Sequence, residues 1–273
     1  MSTIKFTKMQ ATGNDFVVIE TGRNRDWSVL AKAMCERRFG VGADGIILVM
    51  PSGKADIRMR MFNPDGSEAE ACGNGMRCLA RYAIDRGLVD SAEITIETLG
   101  GLRKARPIGN LIQVDMGEPI FKANLIPVKG TRDKVIDYPL NVDGRQLSLT
   151  CLSMGNPHAV AFIDEPIEKF PLEVIGPKVE HHAFFPKCVN FEIAKVMGKG
   201  KIRARVWERG AGETLSCGTG ACAIAVAARL HNFCNKKIDI VLPGGTLTID
   251  WDGKGQVKLT GPAEQVFNGE WPG

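Results

Sequence analysis

Two short stretches of the chain hold a cysteine where its thiol could do acid–base work. "EACGNGMRCLARYA" covers residues 70–83 and "LSCGTGACAIAVAA" covers residues 215–228. Each reads Cys-Gly-x-Gly followed by a row of small and apolar residues. Glycines at a helix start let a ligand approach the backbone and leave the first-turn N–H groups bare. Those groups carry the positive end of the helix dipole and bind anions such as carboxylate or phosphate. The same field favours thiolate over thiol and can bring a cysteine from about 8.5 to roughly 3.5–7.5. Cys72 and Cys217 are therefore expected to act as bases at neutral pH. If the two corners face each other across a cleft, an amino-acid carboxylate fits between two helix N-termini and its Cα lies between two sulfurs. One thiolate removes the Cα proton and the opposite thiol delivers another to the other face, which inverts the centre. The charge of the carbanion develops on the carboxylate oxygens, where the helix ends can stabilise it.

The elements that would hold these corners are written twice. "GNDF" at Gly13 and "GNPH" at Gly155 are 142 residues apart, and Cys72 and Cys217 are 145 apart. Gly100-Gly101 matches Gly244-Gly245, and Gly117 in "QVDMGEP" matches Gly261 in "QVKLTGPA", both at a spacing of 144. Four landmarks in one order and at nearly one spacing indicate two homologous domains, the period being far too long for stacked repeats. "DIRMRMF" and "KIRARVWE" alternate as strands, with turns at "NPDGS" and "RGAGET". Helices of about three turns follow each cysteine, then strands at "EITIET" and "KIDIVL" and hairpins at the Gly-Gly pairs. "GACAIAVAARL" is apolar almost all round, so its helix is expected to be buried on every side. The first helix carries Arg77, Arg81 and Asp85, which must reach solvent or partners. The expected architecture is α+β: two homologous domains, 1–118 and 119–262, each a curved, mostly antiparallel sheet wrapped around a central helix. The active site is expected in the interdomain cleft, and the tail 263–273 is expected to pack back on the first domain.

Bulk properties exclude other classes. The 273 residues are 44% hydrophobic and 24% charged, ordinary for a globular protein. A net charge of +4 from scattered residues, with two tyrosines, points to no nucleic acid and no anionic membrane. No apolar run reaches membrane-spanning length, and the first residues alternate like a strand instead of forming a signal-peptide block. A cytoplasmic location is expected, with the eight cysteines as thiols. Cys35, Cys78, Cys151, Cys188, Cys222 and Cys234 read as packing residues. The loops between paired cysteines are too long for a compact zinc knuckle, so no metal is expected. "GTGACA" with Asp239 fits a dinucleotide fingerprint, but "RGAGETLSC" separates the preceding strand from the helix and the first copy breaks the pattern. A thiol-based binding or redox protein is the non-enzymatic alternative.

The motifs "GNDFVVIE", "FNPDGSEAEACGNGMRC", "SMGNPHAV", "ERGAGETLSCGTGAC" and "LPGGTLTI" together resemble the diaminopimelate epimerase family along essentially the whole chain. The resemblance implies a cofactor-independent epimerase interconverting LL- and meso-diaminopimelate in lysine and cell-wall precursor synthesis. It implies no pyridoxal phosphate or other cofactor, and a plan compatible with a homodimer without requiring one. Cys72 and Cys217 would be the acid–base thiols. Gly73, Asn74, Gly218 and Thr219 would bind the α-carboxylate, and Asn14, Asn63, Asn156 and Asn190 would line the cleft. Glu208 and Arg209 would also bind substrate, the Arg209 fork taking the distal carboxylate. His158 and Glu208 would tune the thiols. The chain departs from the family at Gly45, where many members carry a glutamine. It departs again at Cys188-Val189, where a basic residue and a threonine are expected. Proline racemase-like and phenazine-biosynthesis-type enzymes are the neighbouring readings, the latter lacking paired cysteines.

Overall fold

A computed structural model of the chain describes residues 3–22, 24–69, 72–130 and 133–272. The chain divides into two compact units, Met1–Asp115 with Thr260–Gly273, and Met116–Leu259. These breaks fall three residues before the expected ones. Among the described residues no helix is long and apolar enough to cross a membrane.

The first unit runs β1 (Ile4–Ala11), β2 (Asn14–Glu20), α1 (Trp27–Cys35), β3 (Gly45–Met50), β4 (Ile57–Phe62), β5 (Glu68–Ala69), α2 (Gly73–Asp85), β6 (Ile94–Thr98), β7 (Gly101–Ile108) and β8 (Leu111–Asp115). The second repeats that order as β10 (Arg145–Ser153), β11 (Pro157–Phe162), α3 (Leu172–Glu180), β12 (Asn190–Gly198), β13 (Lys201–Glu208), β14 (Gly212–Thr214), α4 (Gly218–Leu230), β15 (Lys237–Leu242) and β16 (Gly245–Asp250), after a leading strand β9 (Val135–Val142). The chain crosses its second break within β17 (Lys258–Gly261). It ends in β18 (Glu264–Trp271), which pairs antiparallel with β1, Ile4 opposite Trp271.

Pairing is the same in both units. β2 and β3 run parallel with Phe16 opposite Gly45, as β11 and β12 do with His158 opposite Asn190. β4 runs parallel to β6 and β13 to β15, and the neighbouring pairs on either side are antiparallel. The strands alternate as expected: β4 buries Ile57, Met59 and Met61, and β13 buries Ile202, Ala204 and Val206. β3 is buried almost throughout because helices cover both of its faces. Ile46 and Leu48 join a core with Trp27, Ala31 and Met34 of α1. Ile47 and Met59 face α2 at Gly75, where an added Cβ would come within 3.2 and 3.1 Å of them. That close approach is why Gly75 stands in the first turn of the helix.

α2 packs against β1, β2, β7 and β8, and α4 against β10, β11, β12, β15 and β16, so each is wrapped by its own sheet. Residues 220–228 of α4 are all buried, as an alanine-rich, all-round apolar helix requires. Arg77 of α2 finds a partner and not solvent. It is 0% exposed, its Nε donating to Pro262 O at 3.2 Å and its Nη2 to Thr12 Oγ1 at 3.3 Å. Arg81 pairs with Asp85 and donates to Asn110 O. Arg77 thus ties the helix to the returning C-terminal strand. Arg77→Ala is expected to cost about 2–4 kcal/mol, from lost charged hydrogen bonds and an unfilled cavity. The check is the midpoint of urea unfolding. An unchanged midpoint would mean that the tie contributes nothing.

Candidate active site

Each cysteine corner is built inside its own unit. Cys72 is the residue before α2, in extended backbone with φ −134° and ψ 125°. Cys217 precedes α4 in nearly the same conformation, φ −118° and ψ 115°. These are N-cap positions, where the first intrahelical bonds are Met76 N to Cys72 O and Ala221 N to Cys217 O. Amide donors ahead of those bonds are the ones a helix end offers to an anion, and they belong to the Gly73 and Gly218 turns. A second element completes each corner. Gly13 (φ +85°) and Gly155 (φ +96°) take the left-handed conformation that glycine adopts without strain. Each turns the chain so that the next residue, Asn14 or Asn156, reaches the corner of its own unit.

The two asparagines are held differently. Asn14 Nδ2 donates to Asp44 Oδ2 at 2.5 Å, which leaves Oδ1 to accept from Asn74 Nδ2 at 3.2 Å and from the Cys72 thiol at 3.9 Å. Asp44 shares Arg37 with Asp15, and Lys8 pairs with Asp15 at 2.7 Å. Burial alone would raise Asp15, but its bonds to Arg37 and Lys8 outweigh it and hold the carboxyl at about 2. In the second unit Asn156 Nδ2 donates to Thr219 Oγ1 at 3.3 Å, and Asn156 Oδ1 meets His158 Nε2 at 2.9 Å. Thr219 Oγ1 lies 3.5 Å from Cys217 Sγ, and Gly220 N donates to that sulfur at 3.4 Å.

The expectation of a lowered thiol fails at Cys217. Its pKa is pushed well up, first by burial and then by the charge of Glu208, with Glu192 adding to it and the Thr219 hydrogen bond opposing. A helix end lowers a thiol that keeps access to solvent, and Cys217 is only 5% exposed. Glu208, which the resemblance implies as a tuning residue, is thus among the groups acting on Cys217. Its Oε1 accepts from Thr214 Oγ1 at 2.6 Å. His158 stands one step further off, reaching the thiol through Asn156 and Thr219. Its Nδ1 lies 2.6 Å from Glu192 Oε1. The sequence reading missed Glu192, whose signal was an acidic residue inside the apolar strand "NFEIA".

The remaining expected residues divide. Asn63 closes the β4–β5 turn, donating from Nδ2 to Ser67 Oγ. Asn190 is 3% exposed and acts as a brace: Nδ2 donates to Pro157 O, and Oδ1 accepts from Arg209 N. Arg209 is exposed and donates to Lys187 O, with further guanidinium donors beyond that bond. Gly45 has no room for a side chain, since a Cβ there would lie 2.8 Å from Phe62 O. Buried Glu180, also missed, holds the turn after β13 by accepting from Trp207 Nε1 and Gly210 N. Asp239, which the dinucleotide fingerprint needs, accepts from Thr248 Oγ1 on the neighbouring strand. Among the described residues one group, Glu180, His181 and Cys188, brings three possible metal ligands within 4.8 Å of one another, and neither corner cysteine belongs to it. None of the eight cysteines forms a disulfide.

The sequence model of the family described as diaminopimelate epimerase matches residues 6–122 and again 150–266. The chain belongs to this family. Its double match reproduces the internal duplication. The diaminopimelate epimerase of Acetivibrio thermocellus is 47% identical, with 98% of each chain covered. That of Moorella thermoacetica is 48% identical over 98% of this chain and 99% of its own. Among solved structures, a PhzF-family phenazine biosynthesis protein of Bacillus anthracis covers 100% of both chains with a TM-score of 0.69. At 20% identity it shows the shared fold of two similar sheet-and-helix domains, and nothing of its chemistry is carried over.

A thiol raised in the folded state contributes stability that is intact below its unfolded value of about 8.5 and is lost as pH rises above it. Stability is thus expected to decline from about pH 9 upward, in step with Cys217 and with Cys35 and Cys78, which burial lifts to about 11 and about 12. Glu208→Gln removes the second cause at Cys217. Its iodoacetamide profile, followed by peptide mass spectrometry from pH 7 to 10, should move to lower pH. A profile that stays in place would remove Glu208 as a source of the shift.

Proposed function

We propose that this protein interconverts LL- and meso-diaminopimelate by moving one Cα proton between the sulfurs of Cys72 and Cys217, without pyridoxal phosphate. The observation that carries the reading is the corner built twice: an extended cysteine before a buried 13-residue helix, with an asparagine delivered by a left-handed glycine. Family membership supplies the substrate, and this corner supplies the chemistry. The α-carboxylate takes the helix-end amides of the Gly73-Asn74 and Gly218-Thr219 turns. A thiolate on one face of Cα takes its proton, the electron pair passes into the carboxylate, and the thiol on the other face returns a proton. Each turnover leaves the two sulfurs with their protonation exchanged. Asn14 and Asn156 steady the corners, and Asn63, Asn190 and Glu208 shape the surroundings. Arg209, exposed and two-pronged, takes the distal carboxylate. Such precursor chemistry and eight cysteines outside any disulfide suit the cytoplasm.

Incubation of the reduced protein with LL-diaminopimelate in deuterated water should place deuterium at one Cα as the optical activity changes. Cys72→Ala and Cys217→Ala should each lower epimerisation at least about 10³-fold, the upper range for a positioned acid–base group. Added pyridoxal phosphate should leave the rate unaltered. Folded, reduced protein that exchanges proline and not diaminopimelate would replace this substrate with another on the same plan. Full activity in either cysteine variant would end the two-thiol scheme.

A further inference from the structure

The duplication makes one asymmetry easy to see. By strand register His158 stands where the first unit has Phe16, 142 residues earlier, and Glu192 where it has Ile47, 145 residues earlier. All four are 0% exposed. A buried imidazole–carboxylate pair thus replaces two apolar side chains in one unit only. Such a replacement is expensive to the fold unless it serves something.

We infer that Glu192 is a positioning residue for the Cys217 sulfur, acting through a one-way chain of hydrogen bonds along His158, Asn156 and Thr219. The inference rests on the two-thiol reading and names the device that readies one of its sulfurs. The chain starts at Glu192, whose Oε2 is buried with no hydrogen-bond partner. A carboxylate with a bare oxygen in that position is strongly disfavoured, so the His158–Glu192 pair keeps a proton between Nδ1 and Oε1 and carries no net charge. Burial accordingly raises Glu192, against the opposing influence of His158. Asn156 Oδ1 only accepts, so His158 Nε2 carries a second proton and donates it at 2.9 Å. The Asn156 amide is thereby oriented with Nδ2 toward Thr219 Oγ1 at 3.3 Å. With its oxygen accepting there, the Thr219 hydroxyl turns its hydrogen to Cys217 Sγ at 3.5 Å. That donor and Gly220 N–H both favour negative charge on the sulfur. They oppose Glu208 on β13 and the direct charge effect of Glu192, which the proton shared with His158 mutes, and they are aimed by Glu192 on β12 through His158 on β11.

The first unit is wired the other way. Asp44 takes the Asn14 amide hydrogen, so Asn14 presents oxygen to the Cys72 thiol. Equivalent asparagines thus hand a donor chain to one sulfur and an acceptor to the other.

The test is alkylation of both thiols in one sample, resolved by peptide mass spectrometry, for Glu192→Leu, Glu192→Gln and Thr219→Val. Glu192→Leu and Thr219→Val should slow Cys217 about ten-fold at pH 8, equivalent to one unit of pKa, while Cys72 reacts as in the wild type. Glu192→Gln should keep most of the wild-type rate, because its amide still donates to His158 Nδ1 and leaves Nε2–H in place. ¹⁵N spectra of the wild type should show His158 Nε2 protonated while Cys217 titrates. A bare Nε2, a Gln variant as slow as the Leu variant, or equal slowing at both thiols would each overturn the inference. If Glu192→Leu does not fold, Thr219→Val decides alone, and an unslowed Cys217 in it overturns the chain. Failure of the two-thiol reading looks different: wild-type protein with no Cα exchange, whatever the reactivity of Cys217.

Discussion

A sulfur at the start of a buried helix is subject to two opposed forces. The helix end and the amide of Gly220 draw negative charge onto it, whereas burial and nearby carboxylates resist that charge. Everything else at the second corner settles that balance. The glycines bring backbone donors near, the small residues of α4 let strands close around the helix, and the strand ends deliver Glu208, Glu192 and His158. Had the helix end been open to solvent, the dipole alone would have decided the state of the thiol. Inside the unit, the neighbours decide it.

Duplication explains how one solution could be used twice, and divergence explains why the copies are not equivalent. The backbone frame is nearly unchanged: the same strand order, the same parallel pair beside the cysteine helix, the same left-handed glycine before the asparagine. The side chains set into that frame differ. In the first unit ion pairs gather around Asp15 and Asp44, which Lys8 and Arg37 partner. Beside the second corner stands instead the fully buried His158–Glu192 pair.

The fold itself leans on a few long-range ties. Arg77 crosses from α2 to the returning segment at Pro262, and β18 adds an eight-residue strand beside β1. These make residues from both ends of the chain one cooperative unit, which suits a site whose helix must not fray at its first turn.

Periodicity and spacing alone determined much of this. Alternation in "DIRMRMF" and "KIRARVWE" fixed the faces of β4 and β13, the all-round apolar run of α4 fixed its burial, and the recurring Cys-Gly-x-Gly located both corners. Such signals are local, because one strand or one helix turn contains them whole. Tertiary structure decided the rest. For Arg77 sequence left solvent and a partner both open, and the returning segment at Pro262 decided for a partner. Asn190 looked like a cleft-lining residue, and only the fold shows that its amide also braces Pro157 against Arg209. Cys217 looked like a lowered thiol, because sequence shows the helix that stabilises its charge but not the depth of burial that opposes it. Glu192 and His158 are 34 residues apart and meet only because β11 and β12 lie side by side. Protonation inside a protein depends on which groups share a dry space, and that is settled by packing between segments far apart in the chain.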